Sequence, residues 1–225
     1  MENPLISNNE LKGKLKLKKV ITLPNIQKQK TVKIPFTYSF LDAFGRPQNR
    51  GIWFVWGASG SGKSTFLMQL AKELAKTYKV LYNLLEEEPD DADYIERTEL
   101  VGMHEVSKNF FTASYTPKEL DIYLSQRNSP KVIIIDSLPY FMSKKDEYKA
   151  FKKKWATKKI IIFSGHAKGQ NPKTDFQEDV MFDAKMKIFV SGYLATCKGR
   201  TIGKNGGNYI IYEEGYNKLN GTKSI

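Results

Sequence analysis

Ile52-Trp53-Phe54-Val55-Trp56-Gly57-Ala58-Ser59-Gly60-Ser61-Gly62-Lys63-Ser64-Thr65 runs directly into Phe66-Leu67, Leu70-Ala71 and Leu74-Ala75. Five unbroken apolar residues predict a buried strand, and pairs recurring every three to four residues predict a helix with one apolar face. Between them, the glycines let consecutive backbone N–H groups turn toward one point, where they meet the positive end of the following helix. Strand, glycine loop, Lys-Ser and helix together make a phosphate-binding loop in the context it requires. Gly57, Ala58, Ser59, Gly60, Ser61, Gly62, Lys63, Ser64 and Thr65 are thus the candidate nucleotide-binding residues. Lys63 is placed to reach the β- and γ-phosphates of a nucleotide, and the Ser64 hydroxyl to ligate Mg²⁺. A glycine turn that merely joined strand to helix would leave Lys63-Ser64 without a reason.

At 225 residues, 40% of them hydrophobic, the chain can form one sizeable core. It has no run of about 18 apolar residues, so nothing is expected to span a membrane. The start, Met1-Glu2-Asn3-Pro4, lacks the basic-then-apolar pattern of a signal peptide. A single cysteine, Cys197, excludes an internal disulfide and fits a reducing compartment, so an intracellular, cytoplasmic location is expected. The net charge of +12 is unevenly spread. Residues 10–33 carry eight Lys against one Glu, and residues 139–175 carry ten Lys against three carboxylates. Residues 86–105 reverse the sign, with nine carboxylates and only Arg97. Two basic blocks suggest a polyanionic partner, nucleic acid rather than membrane, against the plainer reading of a solvated lysine surface.

Along the chain, residues 14–23 alternate apolar and polar, which predicts a half-exposed strand, and Pro24 to Pro35 reads as a basic linker. A basic extension over residues 1–37 and a core over 38–225 are therefore expected. Buried strands are predicted at 79–85, 131–136 and 160–163, with a shorter one at 110–112. Thr116-Pro117-Lys118-Glu119 has the cap, proline and glutamate of a capping box opening a helix. An acidic helix at 92–101 stops at Gly102, and a basic helix is expected near 146–157. Short strands at 186–190, 193–197 and 208–213, punctuated by glycines, predict an antiparallel extension. The fold class is therefore α/β: a mostly parallel sheet covered by helices on both faces, with an antiparallel C-terminal end.

In such sheets ligands bind at the carboxyl ends of the strands. Gly57, Glu86, Asp136 and Ser164-Gly165-His166 all fall there. Asp136 suits a carboxylate of the Mg²⁺ shell beside Ser64, rather than a plain strand-end cap. Glu86 is a candidate to orient the attacking water, with Glu87 and Glu88 as rivals. His166 could sense the γ-phosphate, or serve as a structural hydrogen-bonder. Lys198 and Arg200 lie on a turn between C-terminal strands. They could reach a neighbouring subunit's γ-phosphate, or be surface charge.

These residues resemble the RecA-type ATPases, most closely the core of the bacterial repair protein RadA and of DnaB-type helicases. Trp56-Gly57 to Leu70 with Val80-Leu81-Tyr82 through Glu86-Glu87 resembles the RadA pattern, and Arg97 is similar to the arginine after it. Val132 to Ser137, Gly165-His166-Ala167-Lys168-Gly169 and Lys198-Gly199-Arg200 follow in the family's order. The resemblance spans residues ~38 to ~215. It implies hexamers or filaments with ATP at subunit interfaces, catalytic roles for Lys63, Glu86, His166, Lys198 and Arg200, and Mg²⁺ on Ser64 and Asp136. It also implies DNA-facing loops near 139–157 and 167–180, which hold Lys144, Lys145, Lys152, Lys153, Lys154, Lys168 and Lys173. The zinc-binding cysteines, protease-like domain and helicase N-terminal domain of those relatives are missing, which suits a core-only protein of phage or mobile-element type. The expected function is an ATP-dependent ATPase acting on single-stranded DNA in replication or recombination. A nucleotide-dependent scaffold or loader is the alternative, with residues 86–105 as its partner surface. A small-molecule kinase fits less well, because the chain's five arginines are not clustered.

Overall fold

A computed structural model describes residues 19–221. The chain divides into two units, Met1–Thr31 and Val32–Ile225. In the first, the described residues form one short helix, α1 (Leu23–Gln27), with proline in its first turn. Half of the strand expected over 14–23 lies outside the described residues; residues 19–22 form no strand, and Leu23 opens this helix.

The second unit is built on one sheet. In chain order its strands are β1 (Gly51–Gly57), β2 (Val80–Leu84), β3 (Phe110–Ala113), β4 (Val132–Asp136), β5 (Ile160–Lys168), β6 (Asn171–Pro172), β7 (Met186–Ser191), β8 (Leu194–Cys197) and β9 (Asn208–Ile210). Across the sheet they lie in the order β3-β2-β4-β5-β1-β7-β8-β9, with β6 pairing β5. The pairs from β3 through β7 are parallel, while β8 and β9 add antiparallel strands at one edge. The α/β sheet with its antiparallel extension is therefore present.

Alternation explains why the central strands read as unbroken apolar runs. Trp53 and Val55 of β1, Ile134 of β4 and Ile162 of β5 point into one core. Ile52, Phe54, Ile133, Ile135, Ile161 and Phe163 point into the other. Helix α3 (Lys63–Ala75) covers the first face, packed beside α4 (Ala92–Val101) and α2 (Tyr38–Phe44). The second face is covered by α5 (Pro117–Ser125), α6 (Leu138–Phe141), α7 (Lys145–Trp155) and α8 (Asp175–Asp183). A last helix, α9 (Glu213–Asn220), follows β9. The capping box at Thr116 and Glu119 is formed as the sequence predicts. Among the described residues no helix is long and apolar enough to cross a membrane.

Two expectations are corrected. Ile34 and Phe36 are buried in the first core, so the packed body begins before residue 38. Residues 139–157 and 167–180 are not open loops. Tyr148, Phe151 and Trp155 anchor α7 to the sheet, and Gln177 and Val180 bury one side of α8.

α8 meets β5 closely. A Cβ added at Gly165 would lie 2.4 Å from Gln177 Oε1 and 2.5 Å from the Phe54 ring. Gly165→Ala is therefore expected to cost about 1–3 kcal/mol through overpacking, read as a lower urea midpoint with an unchanged slope.

Candidate nucleotide site

The phosphate loop connects β1 to α3. Gly60 and Gly62 adopt φ of +71° and +94°, values open to glycine but costly for other residues. At Gly57 the constraint is space, because a Cβ would sit 2.5 Å from the Val190 carbonyl oxygen and 2.7 Å from the Ser61 hydroxyl. The N-cap of α3 is Gly62, and no side chain caps the helix. The first-turn N–H groups of α3 thus have neither an intrahelical nor a side-chain acceptor, and helix starts of this kind attract phosphate.

Four strand ends converge on this loop. Lys63 of α3 and Asp136 at the end of β4 are both buried, with Nζ 3.8 Å from Oδ1. Tyr82 of β2 donates its hydroxyl to Asp136 Oδ2 at 2.7 Å, and Ser164 of β5 donates to Oδ1. Burial, and then the Asp136 charge, push the Tyr82 phenol well above its usual range, so it remains a donor. The carboxylate is fixed from two sides while it faces the lysine.

Glu86, just beyond β2, accepts a hydrogen bond from the Ser137 hydroxyl and lies 3.2 Å from His166 Nε2. Glu87 also lines the cleft, but its carboxylate is held by both terminal nitrogens of Arg97 at 2.9 and 3.1 Å. Glu88 is exposed, and its backbone N–H is held by Asp91. Of the three glutamates, Glu86 is the one set beside His166 and the Asp136-Ser137 corner. The His166 backbone N–H donates to Gln177 Oε1 at 2.8 Å, which fixes the end of β5 against α8. The cleft, of about 390 Å³, is lined by Lys63, Ser64, Glu86, Arg97, His166 and Tyr193, together with the exposed loop residues.

No cluster of three or more His, Cys, Asp or Glu that could hold a metal occurs among the described residues. Ser64 and Asp136 supply one hydroxyl and one carboxylate. That set suits Mg²⁺, which keeps several waters and is completed by phosphate oxygens rather than by an all-protein cage.

Lys198 and Arg200 stand apart from this cleft. Gly57 pairs with Val190, whereas the Arg200 N–H bonds the carbonyl of Lys185 at the other end of β7. Five residues at about 3.3 Å each put Arg200 roughly 17 Å along the sheet from its own loop. Of the basic residues expected to meet DNA, Lys145 pairs with Asp179, Lys152 with Asp183 and Lys154 with Asp121, each at 2.6 Å. Lys144 lies 3.8 Å from Glu147, and Lys153, Lys168 and Lys173 are exposed.

Sequence reading alone did not find Tyr82, Ser137 or Tyr193 as site residues, and it placed Ser164 at the shared edge without its bond to Asp136. Tyr82 and Ser164 sit inside apolar strands, and only the register across the sheet brings their hydroxyls to Asp136. Tyr193, on the turn after β7, has φ +59° and packs against Gly62. The Gly192-Tyr193 pair was its only signal.

Comparison with known proteins agrees with the fold. The solved structure of the flagellar accessory protein FlaH from Methanocaldococcus jannaschii is similar at TM-score 0.56 and 18% identity, over 80% of this chain and 92% of that one. The ATP synthase subunit NeqB from Nanoarcheaum equitans gives TM-score 0.47 and 12% identity, over 74% of this chain and 53% of that one. No curated protein sequence matches the chain. Residues 22–165, more than half of the chain, match the family described as the Rad17 P-loop domain. With its phosphate loop, Lys63–Asp136 pair and parallel sheet in place, the chain belongs to the Rad17 P-loop domain family and has the α/β fold of P-loop nucleotide-binding proteins.

Proposed function

We propose that the protein hydrolyses ATP with Mg²⁺ and couples hydrolysis to contact with single-stranded DNA. One observation carries the reading: Lys63, Glu86 and His166 come from separate segments to line one cleft at an uncapped helix start, with Asp136 buried 3.8 Å from Lys63. The loop amides and Lys63 hold the phosphates. Ser64 and Asp136 would hold Mg²⁺, which would supply positive charge beside the phosphates. Glu86 orients the water that attacks the γ-phosphorus as the bond to ADP breaks. His166 touches Glu86 at the head of the β5–β6 hairpin, and Trp56 of β1 donates to Gln170 O of that hairpin at 2.9 Å. The exposed Lys168 and Lys173 flank the turn, so a change at the phosphates has a short path to cationic side chains. The order of motifs shared with RadA and DnaB-type helicases supports replication or recombination as the setting.

Arg200 cannot reach its own cleft, and we assign it to a neighbour's. It lies in a cationic group with Arg50 and Lys185. Burial first, then those two arginines, lower the Lys185 ammonium from its ordinary value. That unbalanced charge suits a neighbour's triphosphate in a ring or filament, with Lys198 beside it. The scaffold reading is favoured by a different observation, the neutralisation of Lys145, Lys152 and Lys154 by the chain's own carboxylates.

Three outcomes are expected. Glu86→Gln should lower ATP turnover about 10²–10⁴-fold with nucleotide affinity little changed, whereas Lys63→Ala should lose the affinity itself. Lys168→Glu with Lys173→Glu should abolish stimulation of the ATPase by single-stranded DNA while Lys152→Ala leaves it intact, and an ATPase indifferent to DNA would favour the scaffold. Arg200→Ala should cost about 10³-fold or more, with part of the activity regained on mixing with Glu86→Gln protein. Absence of rescue at every ratio would return Arg200 to surface charge.

A further inference from the structure

A second cavity, of about 730 Å³, adjoins the phosphate cleft, and Thr65 and Tyr193 line both. Its walls are largely aromatic and aliphatic: Tyr38, Phe40, Leu100, Tyr193, Ile211 and Tyr212. Tyr38 and Leu100 are 84% and 79% exposed, large apolar groups left in solvent at its rim. Tyr193 and Tyr212 meet edge to face with centroids 5.6 Å apart. Both rings also crowd Gly215, where an added Cβ would lie 2.6 Å from Tyr212 and 2.8 Å from Tyr193. This places a fixed aromatic wall beside the phosphate loop.

The long polar side chains in the cavity are all engaged by the protein. The Gln69 amide donates to Ile211 O at 3.0 Å and accepts from the Tyr209 hydroxyl at 3.2 Å. Glu73 accepts from the Thr37 N–H and hydroxyl at 2.7 and 2.8 Å and from Lys76 at 2.5 Å. Lys72 donates to Val101 O at 2.9 Å and to Glu105 at 2.7 Å.

We infer that this cavity takes the base of the nucleotide by stacking and apolar contact, and selects purine over pyrimidine by ring area while discriminating weakly between adenine and guanine. The inference rests on the phosphate site proposed above. A pocket that reads a hydrogen-bonding edge rejects the wrong partner about 10⁴–10⁵-fold, whereas shape and apolar contact alone reach only about 10–200-fold. Here the Gln69 amide and the buried Glu73 carboxylate are bonded to their own partners, and the exposed Glu105 carboxylate is paired to Lys72. Stacking accepts any base because every base has a π-face, and it strengthens with ring area.

Calorimetric titration of the full chain with ATP, GTP, CTP and inorganic tripolyphosphate tests this. ATP and GTP should bind within about tenfold of each other, with CTP roughly tenfold or more weaker and tripolyphosphate weakest. Tyr38→Asn, an exposed position with φ +46° that asparagine tolerates, should lower ATP and GTP affinity severalfold and leave tripolyphosphate unchanged. Leu100→Glu, at another exposed lining position, should act alike. An ATP preference over GTP beyond about 200-fold would overturn the inference, because that needs edge reading. Tripolyphosphate binding as tightly as ATP would also overturn it, while leaving the phosphate site standing. Binding of neither nucleotides nor tripolyphosphate would remove both readings together.

Discussion

Lys63 and Asp136 face each other out of water at the carboxyl edge of the sheet, and the remainder of the site is arranged around that pair. Removing one partner of a buried ion pair costs about 3–5 kcal/mol, because the other charge is left uncompensated. At 3.8 Å the two are close enough to offset each other's charge but too far apart for a hydrogen bond. The carboxylate finds its hydrogen bonds elsewhere, from Tyr82 and Ser164. The lysine is therefore held by charge alone, and a triphosphate can take over its partnership without breaking a hydrogen bond. Two hydroxyls buried within strands keep Asp136 in place when that exchange happens.

The sheet then has two functional ends. At the carboxyl end, β1, β2, β4 and β5 bring Gly57, Glu86, Asp136 and His166 to one edge, as parallel strands with a common direction must. At the opposite end of β7, Lys185 and Arg200 gather positive charge that no described carboxylate balances. The phosphate site on one edge and the cationic edge roughly 17 Å away are what bring assembly into the proposal. The antiparallel strands β8 and β9 have a separate effect. They carry Tyr193, Tyr209 and Ile211 past the start of α3, and so wall the base cavity next to the loop.

Much of this was legible in the sequence where the signal was local. The apolar runs of β1, β2, β4 and β5, the glycine loop and the capping box at Thr116 each carry their instructions within a few residues, and each formed as read. Distant partners were not legible. The lysines of α7 look like a free basic face, yet Asp121, Asp179 and Asp183, remote along the chain, pair with three of them. Ile34 and Phe36 sit in a basic, proline-flanked stretch, and only packing shows that they belong to the core. Three consecutive glutamates could not be told apart until Arg97 drew Glu87 aside and Ser137 and His166 held Glu86.

The central claim is that a triphosphate displaces Asp136 as the partner of Lys63. A crystal structure with a non-hydrolysable ATP analogue and Mg²⁺ tests it most directly. The account predicts Lys63 Nζ within hydrogen-bond reach of the β- and γ-phosphate oxygens, with Asp136 still held by Tyr82 and Ser164. Nucleotide bound elsewhere, with the Lys63–Asp136 pair undisturbed, would contradict it.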